Sequence, residues 1–240
     1  MKKKFFCIGM SFALLCPVAL LAQPGAATNE EVPKQKAIAL FYNIINDNAG
    51  LYNGSEYIMY DQRIKGTPYF LDGSQQPGDV FYNGTLYPNV TLIYETTTES
   101  VVVREFGQGI FISLVNEKVN YFNLLGHTFV HLRPDSSNKI ITDGFYDRLY
   151  NGQTPVYAKR QKTVYEDPRT FEKSFVENSH YFIYKDNVFY EVDGKNGVLN
   201  VFKSKKKDIL KYIRQNDISY KRDPETAMVK MAEYFDKLTH

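Results

Sequence analysis

Hydrophobic positions follow three different patterns along this chain. Phe5 to Leu21 is an almost unbroken apolar run of 17 residues, preceded by Lys2, Lys3 and Lys4. Ala37, Leu40, Phe41, Ile44 and Ile45 then recur at helical spacing, with Glu30 and Glu31 at the start and Asn48 and Gly50 at the end. This predicts an N-terminal amphipathic helix. From about residue 51 to 203 the pattern changes to short apolar or alternating runs separated by turn residues. Val90, Leu92 and Tyr94 alternate with Thr91, Ile93 and Glu95, and Val101–Phe106 and Ile110–Val115 flank Gly107-Gln108-Gly109. Lys185-Asp186-Asn187 between Tyr181–Tyr184 and Val188–Val192 predicts a hairpin, and Val198–Phe202 reads as one more strand after the turn at Asp193–Gly197.

Helical spacing returns at the C-terminal end. Ser204 is placed to cap a helix through Asp208, Ile209, Leu210, Tyr212 and Ile213. Asp223-Pro224-Glu225 signals a second start, followed by a stripe of Met228, Met231, Phe235 and Leu238. The predicted fold class is therefore α+β: an antiparallel β-rich body with an N-terminal helix and two C-terminal helices.

The first apolar run reads as a secretory signal peptide over residues 1–22. It has a lysine n-region, is short for a spanning helix of about 20 residues, and ends in small residues at Ala22. Residues 23–30 then form a flexible leader, and 31–240 a single α+β domain with its β-rich body at about 51–203 and its helices at about 204–240. Cleavage after Ala22 would remove Cys7 and Cys16, the two cysteines of the chain, leaving neither disulfides nor thiol chemistry. The full chain has 29 Lys and Arg against 27 Asp and Glu; without the three lysines the balance is 26 against 27, a net of −1. That removes any basic footprint for nucleic acid. An outer-membrane barrel is disfavoured, because the strands are short and the pattern finishes in an amphipathic helix.

Three segments share an apolar-Tyr-Asn-Gly core: Leu51–Gly54, Phe81–Gly84 and Leu149–Gly152. Their separations are unequal, so they are turn grammar and not a solenoid repeat. With 19 Tyr, 17 Phe and no Trp, the chain offers Tyr52, Tyr82 and Tyr150 as rings for stacking on a glycan or another partner.

The candidate chemistry is sparse. His127 and His131 lie four apart on a predicted strand, about 13 Å end to end, too far to share one metal. Asp135, Asp143 and Asp147 form a carboxylate-bearing stretch that would suit glycoside hydrolysis if two of them stood roughly 5–10 Å apart. Lys205, Lys206 and Lys207, beside Lys203 at a helix start, are candidates for anionic lipid or an acidic partner. There is no Gly-x-Ser-x-Gly elbow, phosphate loop or dinucleotide fingerprint. No cofactor or metal is expected.

The signal ending Leu20-Leu21-Ala22-Gln23, the Leu51–Tyr57 and Phe81–Tyr87 segments, the Gly126–Val130 stretch and the Lys205–Asp223 tail resemble exported proteins of the Bacteroidota with no known activity. The resemblance spans most of the chain after the signal and implies a Gram-negative envelope setting; the expected location is the periplasm or the periphery of the outer membrane, with secretion as the alternative. The expectation is a non-enzymatic envelope protein that binds or scaffolds an envelope protein, glycan or anionic lipid. A tyrosine-faced binder of a glycan or small ligand is the first alternative. A hydrolase using the 127–147 region is the second.

Overall fold

A computed structural model describes residues 50–71, 73–105, 109–136 and 138–239. The expected signal peptide, leader and N-terminal helix lie outside the described residues. The described residues build one antiparallel sheet of eleven strands: β1 (Ser55–Glu56), β2 (Gln76–Tyr82), β3 (Thr85–Glu95), β4 (Ser100–Arg104), β5 (Phe111–Ser113), β6 (Val119–Leu124), β7 (His127–Leu132), β8 (Gly144–Tyr150), β9 (Val156–Glu166), β10 (Lys173–Lys185) and β11 (Val188–Val192). Their order across the sheet is β1-β5-β4-β3-β2-β6-β7-β8-β9-β10-β11. Most neighbours are consecutive in sequence, as short turns dictate. Asn83–Gly84 and Asp186–Asn187 supply paired left-handed residues for two of the hairpins, with φ of 49° and 82°, and 53° and 61°.

Period-two alternation decides which side chains meet. One face of β2 to β8 carries Val80, Leu92, Tyr94, Phe122, Phe129 and Phe145 into a common core. Phe122 stacks on Phe129 at 4.8 Å between ring centroids, and Tyr94 leans on Phe129 at 4.9 Å. Burying each such side chain stabilises the fold by about 1.5–3 kcal/mol. A second core lies where three helices, α1 (Gly194–Val201), α2 (Lys206–Gln215) and α3 (Pro224–Thr239), cover Val156, Ile183 and Val192 of the sheet. Tyr146 and Phe182, next to residues of the opposite parity, pack with Ile141 on the reverse face.

The sheet curls until the tip of the β3–β4 hairpin meets β9, where Lys162 N donates to Thr96 O at 3.3 Å. Residues 57–71 form a strap across this closure. Phe70 N donates to Tyr94 O and Thr96 N to Pro68 O, while Lys65 exchanges backbone hydrogen bonds with Lys173 and Phe175 on β10. The Lys162 ammonium fastens the strap from below, donating to Thr67 O at 3.1 Å and Tyr69 O at 2.6 Å. The turn itself is held by the buried Glu95 carboxylate, which accepts from Thr98 N and the Thr98 hydroxyl.

Three expectations need correcting. Val198–Phe202 is not a strand. It lies in and just after α1, because Val198, Leu199 and Phe202 are also spaced for one face of a helix and find a core to fill. The next helix begins at Lys206 and not at Ser204, which sits in a short 3-10 turn, and no side chain caps it. Among the three Asn-Gly recurrences, only Asn83–Gly84 is a left-handed turn. Gly54 answers a different need: a Cβ there would stand 1.9 Å from Ser113 O. No helix among the described residues is long and apolar enough to cross a membrane.

Candidate functional site

Strand parity places His127, Phe129 and His131 on one side of β7, and register sets Phe129 opposite Asp147 of β8 and Asp147 opposite Ala158 of β9. Asp147 is therefore next to both His127 and Arg160 on the inner face. Its carboxylate is 1% exposed and accepts from His127 Nδ1 at 2.8 Å, from Arg160 Nε at 3.1 Å and from Arg160 Nη2 at 2.7 Å. An ionised carboxylate only accepts, so Nδ1 carries a proton and Nε2 lies on the other edge of the ring, away from Asp147. Phe70 of the strap packs edge-on against the imidazole at 5.0 Å.

The far side of Arg160 is occupied by Glu225, in the first turn of α3. Arg160 Nη1 donates to Glu225 Oε1 at 2.5 Å and Nη2 to Oε2 at 2.9 Å, and the Tyr181 hydroxyl of β10 adds a bond to Oε1 at 2.8 Å. Asp223 positions that turn by capping Thr226 N at 3.0 Å. Burial opposes the charge on Arg160, but Glu225 and Asp147 outweigh it and hold the guanidinium above its ordinary pKa. Burial likewise pushes the Glu225 carboxyl up; the Arg160 hydrogen bonds override it and keep it below its ordinary value. Burial, with the hydrogen bond to Glu225, moves the Tyr181 phenol up to about 12. Lys162 has no comparable ion pair to offset its burial, and its ammonium is shifted down.

These groups surround a cavity of about 260 Å³ under the strap, lined by Phe70, Leu71, Thr96, His127, Arg160, Gln161, Lys162, Glu177 and Glu225. His127 is 31% exposed there, and its Nε2 takes no partner among the described residues. The site joins the strap, β7, β9, β10 and the start of α3, elements up to 155 positions apart from Phe70 to Glu225.

Of the sequence-derived candidates, His127 and Asp147 come together at this cavity. His131 and Asp143 form a separate pair, His131 Nε2 to Asp143 Oδ1 at 3.2 Å, with Nδ1 of His131 against Val119 O at 2.9 Å. Asp143 lies in the bend before β8 and pairs with His131, whereas the buried Asp147 within β8 pairs with His127 and Arg160, so the two carboxylates are not turned to a common site. Asp135 folds its own loop by accepting from Asn138 N at 2.8 Å. Tyr82 is buried in the core, Tyr52 packs against the same core, and the Tyr150 hydroxyl donates to Asp236. Lys206 and Lys207 are exposed and Lys205 half-buried around the start of α2, away from the cavity lining. Among the described residues no group of three or more His, Cys, Asp or Glu side chains is disposed to hold a metal.

Arg160, Lys162 and Glu177 were not singled out by sequence, and Glu225 only as part of a helix start. The available signal was Lys159-Arg160-Gln161-Lys162 inside a strand bounded by Val156 and Val164, because charge at an inward position has to be paired. No protein-family model, curated protein or solved structure matches the chain.

Proposed function

We propose that this chain is an exported envelope protein that binds a small ligand in the cavity beneath the strap. One observation carries this reading: His127, Arg160, Lys162, Glu177 and Glu225, drawn from four elements, line one cavity beside the apolar Phe70 and Leu71. A few convergent polar groups on an apolar wall are the usual construction of a small-molecule site. A buried ion network is also a poor way to gain stability, which favours a role in the site over one in the core. The tyrosine-platform version has less support, since Tyr82 and Tyr150 are committed to internal contacts.

Glu177→Trp tests the proposal. Glu177 is exposed at the cavity edge on a strand that tolerates an aromatic ring. Native mass spectrometry after incubation with a small-molecule extract of Gram-negative envelopes should show a bound species on the wild-type chain and none on Glu177→Trp. Equal occupancy of the two proteins would show that this cavity is not the ligand site.

A second reading, docking to another envelope component, rests on exposed apolar side chains of the strap and of the β9–β10 turn. Ile58 and Phe171 are 84% and 73% exposed, and Phe171 is also held at a φ of 57°. A bulky residue in the left-handed region is strained and here gains little packing in return. Photo-crosslinkers placed at Ile58 and Phe171 in intact envelopes should capture the same partner. Adducts no more frequent than from a crosslinker at Lys207 would dismiss this reading.

A further inference from the structure

From the hydrogen bonds already engaged around the cavity, we infer that the ligand is a small organic cation, a primary ammonium carried on an apolar body. The inference rests on the proposed ligand role of the cavity and names the chemistry that role selects. The donors are largely committed inside the protein. Arg160 directs Nε, Nη1 and Nη2 to Asp147 and Glu225, Lys162 gives two bonds to strap carbonyls, and the Thr96 hydroxyl donates to Pro68 O.

Acceptors are what remain. Glu225 keeps 31% of its side chain exposed even with Arg160 and Tyr181 bound. Glu177 stands directly opposite Lys162 in the β9–β10 register and is exposed. Charge points the same way. Three carboxylates, Asp147, Glu177 and Glu225, stand against two basic side chains, Arg160 and Lys162. An anionic ligand would add to that excess, whereas an ammonium cancels it and donates to the free acceptors. Phe70 and Leu71 supply the apolar wall for the body of such a molecule.

Three probes of the same ring and different charge separate the possibilities: benzylammonium, benzyl alcohol and benzoate, each titrated calorimetrically into the full chain at low salt. Benzylammonium should bind, more weakly as sodium chloride is raised, and benzoate should give no heat. Glu177→Gln, at an exposed position that leaves the Arg160 network intact, should weaken benzylammonium about tenfold, the effect of losing one hydrogen bond to a charged group. Glu225→Gln should weaken it at least as much, with circular dichroism reporting whether that variant is folded. Preference for benzoate or benzyl alcohol, or no effect of Glu177→Gln, would overturn the cation assignment and leave a ligand role for the cavity standing. Absence of binding by all three probes would count against both.

Discussion

Arg160→Met should lower the unfolding free energy by about 3–5 kcal/mol, the usual effect of removing one partner from a buried ion network. Methionine preserves the length and much of the apolar stem of the side chain, so the loss isolates the guanidinium. Without it, Asp147 at 1% exposure retains only the His127 Nδ1 hydrogen bond, and Glu225 retains only the Tyr181 hydroxyl. Denaturant titration at neutral pH reads the difference. Its pH dependence follows from the carboxyl of Glu225. In the wild type Arg160 holds that group below its ordinary value of 4.5, so its contribution is present above 4.5 and fades as pH falls through the folded value. In Arg160→Met, burial acts unopposed and moves the carboxyl up, so acid relieves the variant by protonating it. The gap between the two proteins should be widest near neutrality and close below about pH 4.5. A gap that stays constant with pH would mean that the carboxylates find other partners.

Asp236→Ala should cost about 3 kcal/mol, and Asp236→Asn distinctly less. Asp236 lies on the sheet-facing side of α3 at 8% exposure and accepts from Thr154 in the β8–β9 turn and from Tyr150 at the end of β8. Thr154 donates to it twice, from N at 3.0 Å and from Oγ1 at 2.5 Å, and Tyr150 donates from its hydroxyl at 3.0 Å. Alanine strands two buried donors of Thr154, each with a desolvation penalty of about 1–3 kcal/mol. Asparagine keeps one acceptor oxygen. An independent reading comes from Tyr150, whose phenol is pushed up to about 12 by burial and by its bond to the Asp236 carboxylate. Alkaline titration of Asp236→Ala, followed by tyrosinate absorbance, should show one phenol ionising earlier than in the wild type. If Asp236→Asn and Asp236→Ala lost equal stability, the turn would not depend on the acceptor.

Legibility from sequence varied with how local the determining interactions are. The alternation around Val90, Leu92 and Tyr94 and the Asp186-Asn187 turn are settled by neighbours in the chain, and β3 and the β10–β11 hairpin follow. Asp223-Pro224-Glu225 marked the start of α3 because capping and the fixed φ of proline act within one turn. Val198–Phe202 misled because an apolar run of that length satisfies a strand or a helix, and only Val192 and the α3 core decide between them. The cavity was half visible. His127 and Asp147 stood out as residue types, but what joins them is the register of β7, β8 and β9, and their partner Glu225 arrives 65 positions after Arg160. No spacing rule connects residues brought together by the curl of a sheet.

The strap has a consequence for the order in which the molecule is assembled. Its ammonium–carboxylate link from Lys65 to Glu172 spans 107 positions, and the Lys162 clamps on Thr67 and Tyr69 span 95 and 93. The β2–β3, β3–β4 and β6–β7 hairpins close over short turns, whereas the strap has to wait for β9 and β10 to exist and then confine a loop of that size. Pulse-labelled hydrogen exchange during refolding should protect the amides of Phe122 and Phe129 before those of Lys65 and Phe70; simultaneous protection would mean that the sheet and its strap condense together. If the hairpins lead, the cavity is the last part of the molecule to form, and a ligand meets its acceptors only on an otherwise finished sheet.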